Sequence, residues 1–191
     1  MSNPTIRKRV LIDPGHGGPQ PGAVGPSGLK EKHVALSVSG LIRDRLISAA
    51  DVRMTRTADV GASLVVRADM ANNWRADAFV SIHCNAAANR DAHGFEVFTA
   101  PGQNRSDVLA EEIIKAVAAA FPQMRIRADT TDGDRDKEAN FTVITRARVP
   151  AALVELAFIS NPREEDLLRQ AAFQERMAGA IAQGITAFLA T

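Results

Sequence analysis

Short apolar runs alternate along the chain with longer segments in which apolar residues recur at helical spacing. The runs are typical of buried strands and cover residues 9–12, 52–55, 78–83, 94–99, 141–144 and 152–156, with 125–127 as a weaker candidate. The helical segments cover residues 34–46, 64–71, 109–121 and 173–188. This alternation predicts an α/β fold in which one sheet carries helices on both faces. At 191 residues, the chain has the length of one domain with a sizeable core.

Charge and cysteine content exclude several classes of protein. The 23 basic and 22 acidic residues nearly cancel, which argues against nucleic acid or a charged membrane surface as the partner. No apolar run is long enough to cross a bilayer, so we expect no stable membrane insertion. Cys84 is the only cysteine, which excludes an intrachain disulfide and predicts a small core residue. The N-terminal sequence MSNPTIRKRV lacks the apolar segment of a secretory signal and predicts cytoplasmic synthesis without a signal peptide.

A glycine-rich loop of residues 13–30 follows the first predicted strand. It begins with the sequence DPGHGG, in which His16 stands among residues with little side-chain bulk. A phosphate-binding loop is excluded, because no Gly-Lys-Ser/Thr follows and Gly15, Gly17 and Gln20 do not complete a GxGxxG pattern. We therefore expect the loop to bring its backbone and the imidazole of His16 close to a ligand that is not a nucleotide.

Three side chains have the chemistry of a catalytic zinc site. His16 and His83 each lie at the carboxyl end of a predicted strand, where side chains of an α/β sheet converge, and Glu31 begins the next predicted helix. Two imidazoles and one carboxylate leave the fourth zinc position open. From the residues alone, Glu31 is also explained as an acid that stabilises a helix N-terminus, and the histidines as hydrogen-bonded structure. His33 and His93 are competing candidates for the metal.

Glu155 interrupts the apolar strand of residues 152–156. A carboxylate at such a position costs free energy unless it is paired, coordinated or solvated in a cleft. One interpretation is a buried ion pair with Arg146 or Arg148. The other is a general base beside a metal site, since this strand also ends at the edge where the histidines are expected.

Six stretches of the chain form a pattern that is specific in its order. They are LIDPGHGG, Glu31-Lys32, MTR before Leu64 and Arg67, ADAFVSIHCNA, GFEVF and VPAALVELAFISNP, and they run from about Val10 to the last predicted helix. In this combination they resemble the zinc-dependent N-acetylmuramoyl-L-alanine amidases that cut peptidoglycan.

The resemblance assigns roles to the candidate residues. It implies Zn²⁺ as the cofactor, bound by His16, Glu31 and His83, with Glu155 as the catalytic glutamate. It also implies a twisted, mixed and mostly parallel sheet of about six strands, flanked by helices on both faces. Asn85, in the stretch HCNA, is interpreted as a contact to the substrate or to a metal ligand.

The reaction that the resemblance implies is zinc-dependent hydrolysis of the amide bond between the lactyl group of N-acetylmuramic acid and L-alanine in peptidoglycan. In this scheme Glu155 takes the proton of the attacking water. Two alternatives stay open at this point. One is a zinc peptidase that cuts within the stem peptide, and the other is a peptidoglycan-binding module without catalytic activity.

The chain also departs from the family pattern. Ala157 stands where glycine is common, and the charged segment of residues 128–140 resembles the family only loosely, so stem-peptide preference is not defined. Only residues 101–105 separate GFEVFTA from the next predicted helix, which leaves no room for the inhibitory helix of some relatives. We therefore expect activity without an activator protein.

Residues 1–191 are interpreted as a single amidase catalytic domain, with residues 1–8 as a short N-terminal extension and no separate cell-wall-binding domain. The lack of a signal peptide and of wall-binding repeats favours a phage endolysin that lyses the host, acting on the host periplasm or cell wall after its release. A catalytic domain excised from a longer exported amidase is the alternative. Nothing in the sequence demands a partner chain, so a monomer is expected.

Overall fold

Strands and helices alternate along residues 7–131 and 133–191, the part of the chain that this computed structural model describes. The strands are β1 (Arg9–Pro14), β2 (Asp51–Met54), β3 (Ala78–Asn85), β4 (Glu96–Thr99), β5 (Lys137–Glu138) and β6 (Ala151–Phe158). The helices are α1 (Glu31–Leu46), α2 (Leu64–Trp74), α3 (Arg105–Ala120), α4 (Thr142–Thr145), α5 (Pro162–Arg169) and α6 (Ala171–Leu189).

The strands form one sheet in the order β2-β1-β3-β6-β4-β5. Strand β1 pairs in parallel with β2 and β3, and β3 pairs in parallel with β6. Strand β4 runs antiparallel to β6, and the short β5 pairs in parallel with β4. The predicted α/β class and the mixed, mostly parallel sheet of six strands are therefore confirmed.

Helices cover both faces of this sheet, as the apolar patterns predict. On one face, α1, α3 and α6 pack over a large core that includes Val80, Ile82 and Cys84 of β3. On the other face, α2 and α4 cover a smaller core that includes Leu11 and Phe79. Successive residues of β3 thus face opposite cores, which is the two-residue period of a strand. Cys84 is a core residue, as predicted.

The strand predicted for residues 141–144 is wrong, because these residues belong to helix α4 and its N-terminal boundary. Val143 and Ile144 are adjacent in the sequence, yet both are buried in the smaller core, while Thr142 and Thr145 are exposed. Neighbouring side chains can reach one core from a helical turn, but in a strand they point to opposite faces. Packing therefore overrides the strand propensity of these β-branched residues.

Two elements carry no apolar pattern, and the sequence reasoning does not predict them. They are β5, which consists of two charged residues, and α5, which follows the N-cap residue Asn161. The weaker strand candidate, residues 125–127, makes a single parallel bridge between Ile126 and Phe95.

The segments outside regular elements are short, apart from the glycine-rich loop and the charged segment. Residues 1–6 of the predicted N-terminal extension lie outside the described residues, whereas Arg7 donates to the carbonyl of Ala50 at 2.7 Å. Residues 100–104 join β4 to α3. Within the described ranges, no helix combines the length and the apolar character needed to cross a membrane.

The sheet order brings three carboxyl ends together. Strands β1, β3 and β6 are parallel neighbours, so the residues that follow or end them share one edge of the sheet. The backbone N–H of Gly15 donates to the carbonyl of Ile82 at 3.0 Å, which ties the start of the glycine-rich loop to β3. In the register of β3 and β6, His83 lies opposite Glu155.

Candidate metal centre

Three predicted metal ligands converge at this edge of the sheet. His16 follows β1, Glu31 is the first residue of α1, and His83 lies near the end of β3. Oε1 of Glu31 is 3.0 Å from Nε2 of His16 and 2.9 Å from Nδ1 of His83. One ligand atom from each residue lies within 4.8 Å of the other two. The histidine rings meet edge to face, with their centroids 5.0 Å apart.

Two glycines allow this close approach. A Cβ atom at Gly22, where φ is +70°, would lie 2.4 Å from Oε2 of Glu31 and 2.7 Å from Cδ2 of His16. A Cβ atom at Gly15 would lie 2.4 Å from Cε1 of His83. Both distances are far below van der Waals contact, so the glycines of the loop make room for the ligands themselves.

Glu31 is held as a carboxylate by the groups around it. The backbone N–H of Cys84 donates to its Oε1 at 3.0 Å, and the backbone N–H of Ala23 donates to its Oε2 at 2.7 Å. Burial alone raises the pKa of Glu31, but the hydrogen bonds and charges of His16 and His83 outweigh this effect and hold the pKa well below its ordinary value. Glu31 is therefore negatively charged at neutral pH, as a carboxylate ligand must be.

A buried hydrogen-bond chain orients His83. The hydroxyl of Ser81 donates to Oδ2 of Asp13 at 2.7 Å, so its oxygen is left to accept from Nε2 of His83, 3.1 Å away. The Nε2 proton then lies toward Ser81, and Nδ1 is the ring nitrogen that faces Oε1 of Glu31 and that a bound metal ion would take. This chain fixes the tautomer that a metal ligand needs.

Two buried arginines hold the loop that carries His16. Arg56 and Arg67 donate to the backbone carbonyls of residues 14–16 at distances of 2.6–2.9 Å. Arg67 also pairs with Oδ1 of Asp13 at 2.7 Å. His16 has a φ of 59°, which is unusual for a residue with a side chain, and its carbonyl accepts from Arg67. The arginines thus stabilise a strained backbone at the ligand.

Sequence reasoning missed most of this supporting set. Asp13, Arg56, Arg67 and Ser81 all lie in the stretches that carry the family resemblance, but the sequence analysis assigns a role to none of them. One signal was available, because Arg67 lies four residues before Ala71 and therefore on the buried face of α2, where a charged residue needs a partner.

Glu155 lies beside the ligands without an ion pair. Its neighbours across the strands are His83 on β3 and Glu96 on β4, and its Oε2 is buried without a hydrogen-bond partner in the described structure. Burial raises the pKa of Glu155 to about 7; the charge of His83 acts in the opposite direction, and those of Glu31 and Glu96 add to the rise.

The alternative ion pair of Glu155 is not formed. Arg146 pairs with Asp69 on the surface, and Arg148 is exposed. The free, buried oxygen of Glu155 is therefore better explained as a base than as half of a salt bridge.

The remaining candidates lie outside the ligand set. His33 and His93 are exposed, and neither belongs to the cluster of His16, Glu31 and His83. The amide of Asn85 donates to Oε2 of Glu96 at 3.1 Å, so the structure places Asn85 on the carboxylate that faces Glu155 rather than on a metal ligand.

The donor set fits zinc. Two imidazole nitrogens and one carboxylate oxygen are the ligands of many catalytic zinc sites, and His16 remains 30% exposed, so the centre is open on one side. A cation there would also offset the negative charge of Glu31 and of an ionised Glu155.

Comparisons with known proteins agree with this geometry. A family model described as N-acetylmuramoyl-L-alanine amidase matches residues 10–187. The chain is 31% identical to AmiA of Escherichia coli, covering 95% of this chain and 76% of that one. It is 34% identical to AmiC of Neisseria meningitidis, covering 97% of this chain but only 53% of that relative.

A solved structure shows the same fold. The amidase AmiC2 of Nostoc punctiforme superimposes with a TM-score of 0.87 at 32% identity, and the match covers 96% of this chain and 98% of that one. The family model spans nearly the whole described chain, and sequence and fold agree. The chain therefore belongs to the N-acetylmuramoyl-L-alanine amidase family, whose members are hydrolases of an amide bond.

Proposed function

We propose that the protein hydrolyses the amide bond between the lactyl group of N-acetylmuramic acid and L-alanine in peptidoglycan, with zinc bound by His16, Glu31 and His83. The observation that carries the proposal is the convergence of three zinc-type donor atoms next to Glu155, a carboxylate with a free buried oxygen. Membership of the amidase family supports the choice of bond.

Each residue of the site has its own part in the proposed hydrolysis. When bound, zinc supplies Lewis-acid chemistry to the water nucleophile and to the carbonyl of the scissile amide. Ser81 and Asp13 keep the Nδ1 lone pair of His83 available. Oε2 of Glu155 accepts a proton from the attacking water and returns it to the nitrogen of the leaving amine. In the protein without a bound ion, burial raises the pKa of Glu155 to about 7, and such a carboxylate takes and gives a proton readily near neutral pH.

The same carboxylate favours an enzyme over a binding module. Burying Glu155 without a partner costs free energy, and a module that only bound glycan would gain nothing from this cost. A zinc peptidase would use the same residues, so the choice between amidase and peptidase depends on the bond that is cut.

Mass spectrometry of the soluble products tests that choice. Purified peptidoglycan is incubated with the zinc-loaded protein, and the expected products are stem peptides with a free N-terminal L-alanine, released from intact glycan strands. Fragments cut within the stem would identify a peptidase. Tight binding to peptidoglycan without any release, with zinc bound, would support the binding module.

Two variants separate catalysis from folding. Glu155→Gln keeps the shape of the site but cannot accept a proton, so we expect bound zinc at one ion per chain and turnover lowered by about 10²–10⁴-fold. Glu175→Gln is the matched control, because Glu175 is exposed on α6 and its ion pair in the described part of the chain is with Arg45. Full activity in Glu155→Gln would overturn the role of this residue.

We also propose that the protein acts as a monomer and without an activator. The support for the second point is the short connection of residues 100–104, where the fold holds no inhibitory helix. Activity of the purified protein alone is the expected result, and size-exclusion chromatography with light scattering measures the mass in the same preparation. Release of stem peptides only after adding a host extract would contradict the proposal.

The lysis role stays a prediction from the sequence. A cytoplasmic endolysin leaves its host intact until the membrane is opened. Expression in a Gram-negative host is therefore expected to cause lysis only after the inner membrane is permeabilised, and Glu155→Gln is expected to cause none. Lysis without permeabilisation would argue against synthesis and storage in the cytoplasm.

A further inference from the structure

A second group of potential metal ligands lies away from the zinc site. Asp107 in the first turn of α3, together with Asp134 and Asp136 in the segment before β5, forms a cluster that we call the aspartate cluster. One carboxylate oxygen from each residue lies within 4.8 Å of the others. None of these residues belongs to the set formed by His16, Glu31 and His83, and nothing in the proposed reaction uses them.

Two carboxylate oxygens of the aspartate cluster are buried and unsatisfied. Asp136 is only 3% exposed and Asp107 only 8%. Oδ2 of Asp136 accepts from the hydroxyl of Thr99 at 2.6 Å, and Oδ2 of Asp134 accepts from the side chain of Gln103 at 3.2 Å. The Oδ1 atoms of Asp134 and Asp136 have no hydrogen-bond partner in the described structure. Each of these two carboxylates is thus anchored through one oxygen, while the other is left without a partner.

The cationic side chains of the same segment are used elsewhere. Arg135 forms a bidentate pair with Glu111, and Lys137 pairs with Glu96. Among the described residues, no lysine or arginine pairs with the aspartate cluster. The three carboxylates of the aspartate cluster therefore lie close together in a poorly solvated position, without a neighbouring positive charge to compensate them.

This arrangement is costly as it stands. Burial raises the pKa of Asp136 to about 7, and the neighbouring carboxylates of Asp134 and Asp107 add to the rise. Burial likewise raises the pKa of Asp107, with a contribution from the charges of Asp134 and Glu138. Either a proton or a bound cation would relieve the repulsion.

We propose that the aspartate cluster binds one divalent cation of the Ca²⁺ class. All its donors are oxygens, which hard cations prefer, and the absence of imidazole and thiolate makes it a poor zinc site. The two unsatisfied Oδ1 atoms supply the free donors, while Thr99 and Gln103 hold the opposite oxygens in place. Ca²⁺ fits better than Mg²⁺, because Ca²⁺ tolerates irregular carboxylate geometry and Mg²⁺ requires a near-ideal octahedron.

The cation would fasten the charged segment to the body of the domain. Asp134 and Asp136 precede β5, Asp107 belongs to α3, and Thr99 ends β4, so one ion joins three elements. The segment held in this way carries Lys137, which pairs with Glu96, the residue opposite Glu155. Thr99 lies three residues beyond Glu96 on β4, about 10 Å along the strand, so the cation site is separate from the zinc site.

Isothermal titration of CaCl₂ into the zinc-saturated protein tests the proposal. Saturation with zinc fills the proposed site of His16, Glu31 and His83, so Ca²⁺ binding there does not contribute to the measured heat. We expect one Ca²⁺ per chain with a dissociation constant of about 10⁻⁴–10⁻³ M, and weaker binding of Mg²⁺. At ten times the dissociation constant, Ca²⁺ should raise the melting temperature by about 3–6 °C.

Two variants in the charged segment locate the site. Asp136→Asn should weaken Ca²⁺ binding by at least about tenfold and reduce the thermal shift at the same Ca²⁺ concentration to at most about 1–2 °C, because it removes a charge from the centre of the cluster. Asp129→Asn is the matched control, since Asp129 is exposed and its hydrogen bonds within the described residues go to Thr131. It should bind Ca²⁺ like the wild type. Asp134→Asn serves instead if Asp136→Asn does not fold.

Two results would overturn the proposal. No binding heat and no thermal shift at 10 mM Ca²⁺ or Mg²⁺ would show that the carboxylates share a proton instead of a cation. Unchanged Ca²⁺ affinity in Asp136→Asn would place the ion elsewhere on the chain. Neither readout depends on amidase activity, so the two proposals fail independently.

Discussion

The geometry of the proposed zinc site depends on residues that contribute no side chain. His16 and Glu31 can converge only because Gly22 has no Cβ where the loop passes over them. The left-handed φ of Gly22 is a separate requirement, and several other glycines of the loop share it. Space and conformation are therefore two distinct constraints, and substitution can tell them apart.

Gly22→Ala is expected to lower zinc affinity by at least about tenfold, because the added methyl group displaces Glu31 and His16 from each other. Gly28→Ala is the control: Gly28 also has a positive φ, +90°, but nothing lies within 4 Å of its Cβ position. Competition with a chromogenic chelator measures both affinities. Equal losses in the two variants would show that backbone strain, and not contact with the ligands, is responsible.

Glu155, the proposed base, makes the opposite kind of contribution, because its burial lowers stability when it is ionised. Its pKa is about 7 in the folded protein and 4.5 in its ordinary state, so the folded protein holds an extra proton between these values. The stability that this proton supplies is complete below pH 4.5 and is lost as the pH rises through 7.

Glu155→Gln should therefore stabilise the metal-free protein at alkaline pH. Glutamine stays neutral at every pH. The free energy of unfolding of the variant minus that of the wild type should therefore rise by up to about 3 kcal/mol between pH 4.5 and pH 8. Urea unfolding at a series of pH values measures this difference. The difference for Glu175→Gln should stay constant across the same range. A constant difference for Glu155→Gln would show that Glu155 titrates normally.

At the scale of elements, the glycine-rich loop that carries His16 is held by helix α2 and by the turn after β2. Arg67 comes from α2 and Arg56 from the residues that follow β2, and both donate to the loop that carries His16. The glycine-rich loop is thus coupled to two elements that contribute no residue to the proposed metal site. Loss of either arginine would leave several buried carbonyls without a donor.

Arg67→Met tests this coupling. Removal of the guanidinium leaves Asp13 as a buried charge without its ion-pair partner, so we expect a loss of about 3–5 kcal/mol in the free energy of unfolding. Arg148→Met should change it by less than about 0.5 kcal/mol, because Arg148 is exposed. Denaturant unfolding of both variants measures the effect. A small loss in Arg67→Met would mean that water replaces the guanidinium in the loop.

Apart from residues 141–144, elements with an apolar period were predictable from the sequence, and elements fixed by polar contacts were not. Strands β1 and β3 alternate between two cores, so their residues reveal their positions. Strand β5 is two charged residues placed by backbone pairing with β4. Helix α5 was missed although its signal is present, because Asn161 followed by Pro162 is a typical helix start.

The candidate site also contains residues that the sequence predicts and residues that it does not. The strand ends pointed to His16 and His83, because parallel strands bring their carboxyl ends together. Glu31 needed the family resemblance, since an acid at the start of a helix has an ordinary explanation. The partners of Asp13 and Ser81 come from strands and helices far apart in the sequence, and no local pattern reports such contacts.

At the scale of the whole molecule, a bound ion would join distant parts of the chain. Glu31 and His83 are 52 residues apart, and His16 approaches both from the end of β1. The donors form one centre only when β1, β3 and α1 are in their folded positions. Zinc at the proposed site would therefore bind the folded chain far better than the unfolded one, and its removal should be visible in global stability.

Removal of zinc by a chelator should lower the melting temperature, and added zinc should restore it. At a free zinc concentration one hundred times its dissociation constant, mass action contributes about 2.7 kcal/mol, which corresponds to roughly 5–10 °C for a domain of this size. His16→Ala should lose this zinc-dependent shift, because it removes one of the three ligands. His33→Ala should keep it, since His33 is exposed on α1 and lies outside the ligand set. A scanning calorimeter measures all three proteins, each with and without zinc, in one buffer. A shift of the same size in His16→Ala and in the wild type would mean that the ion binds at another place in the domain.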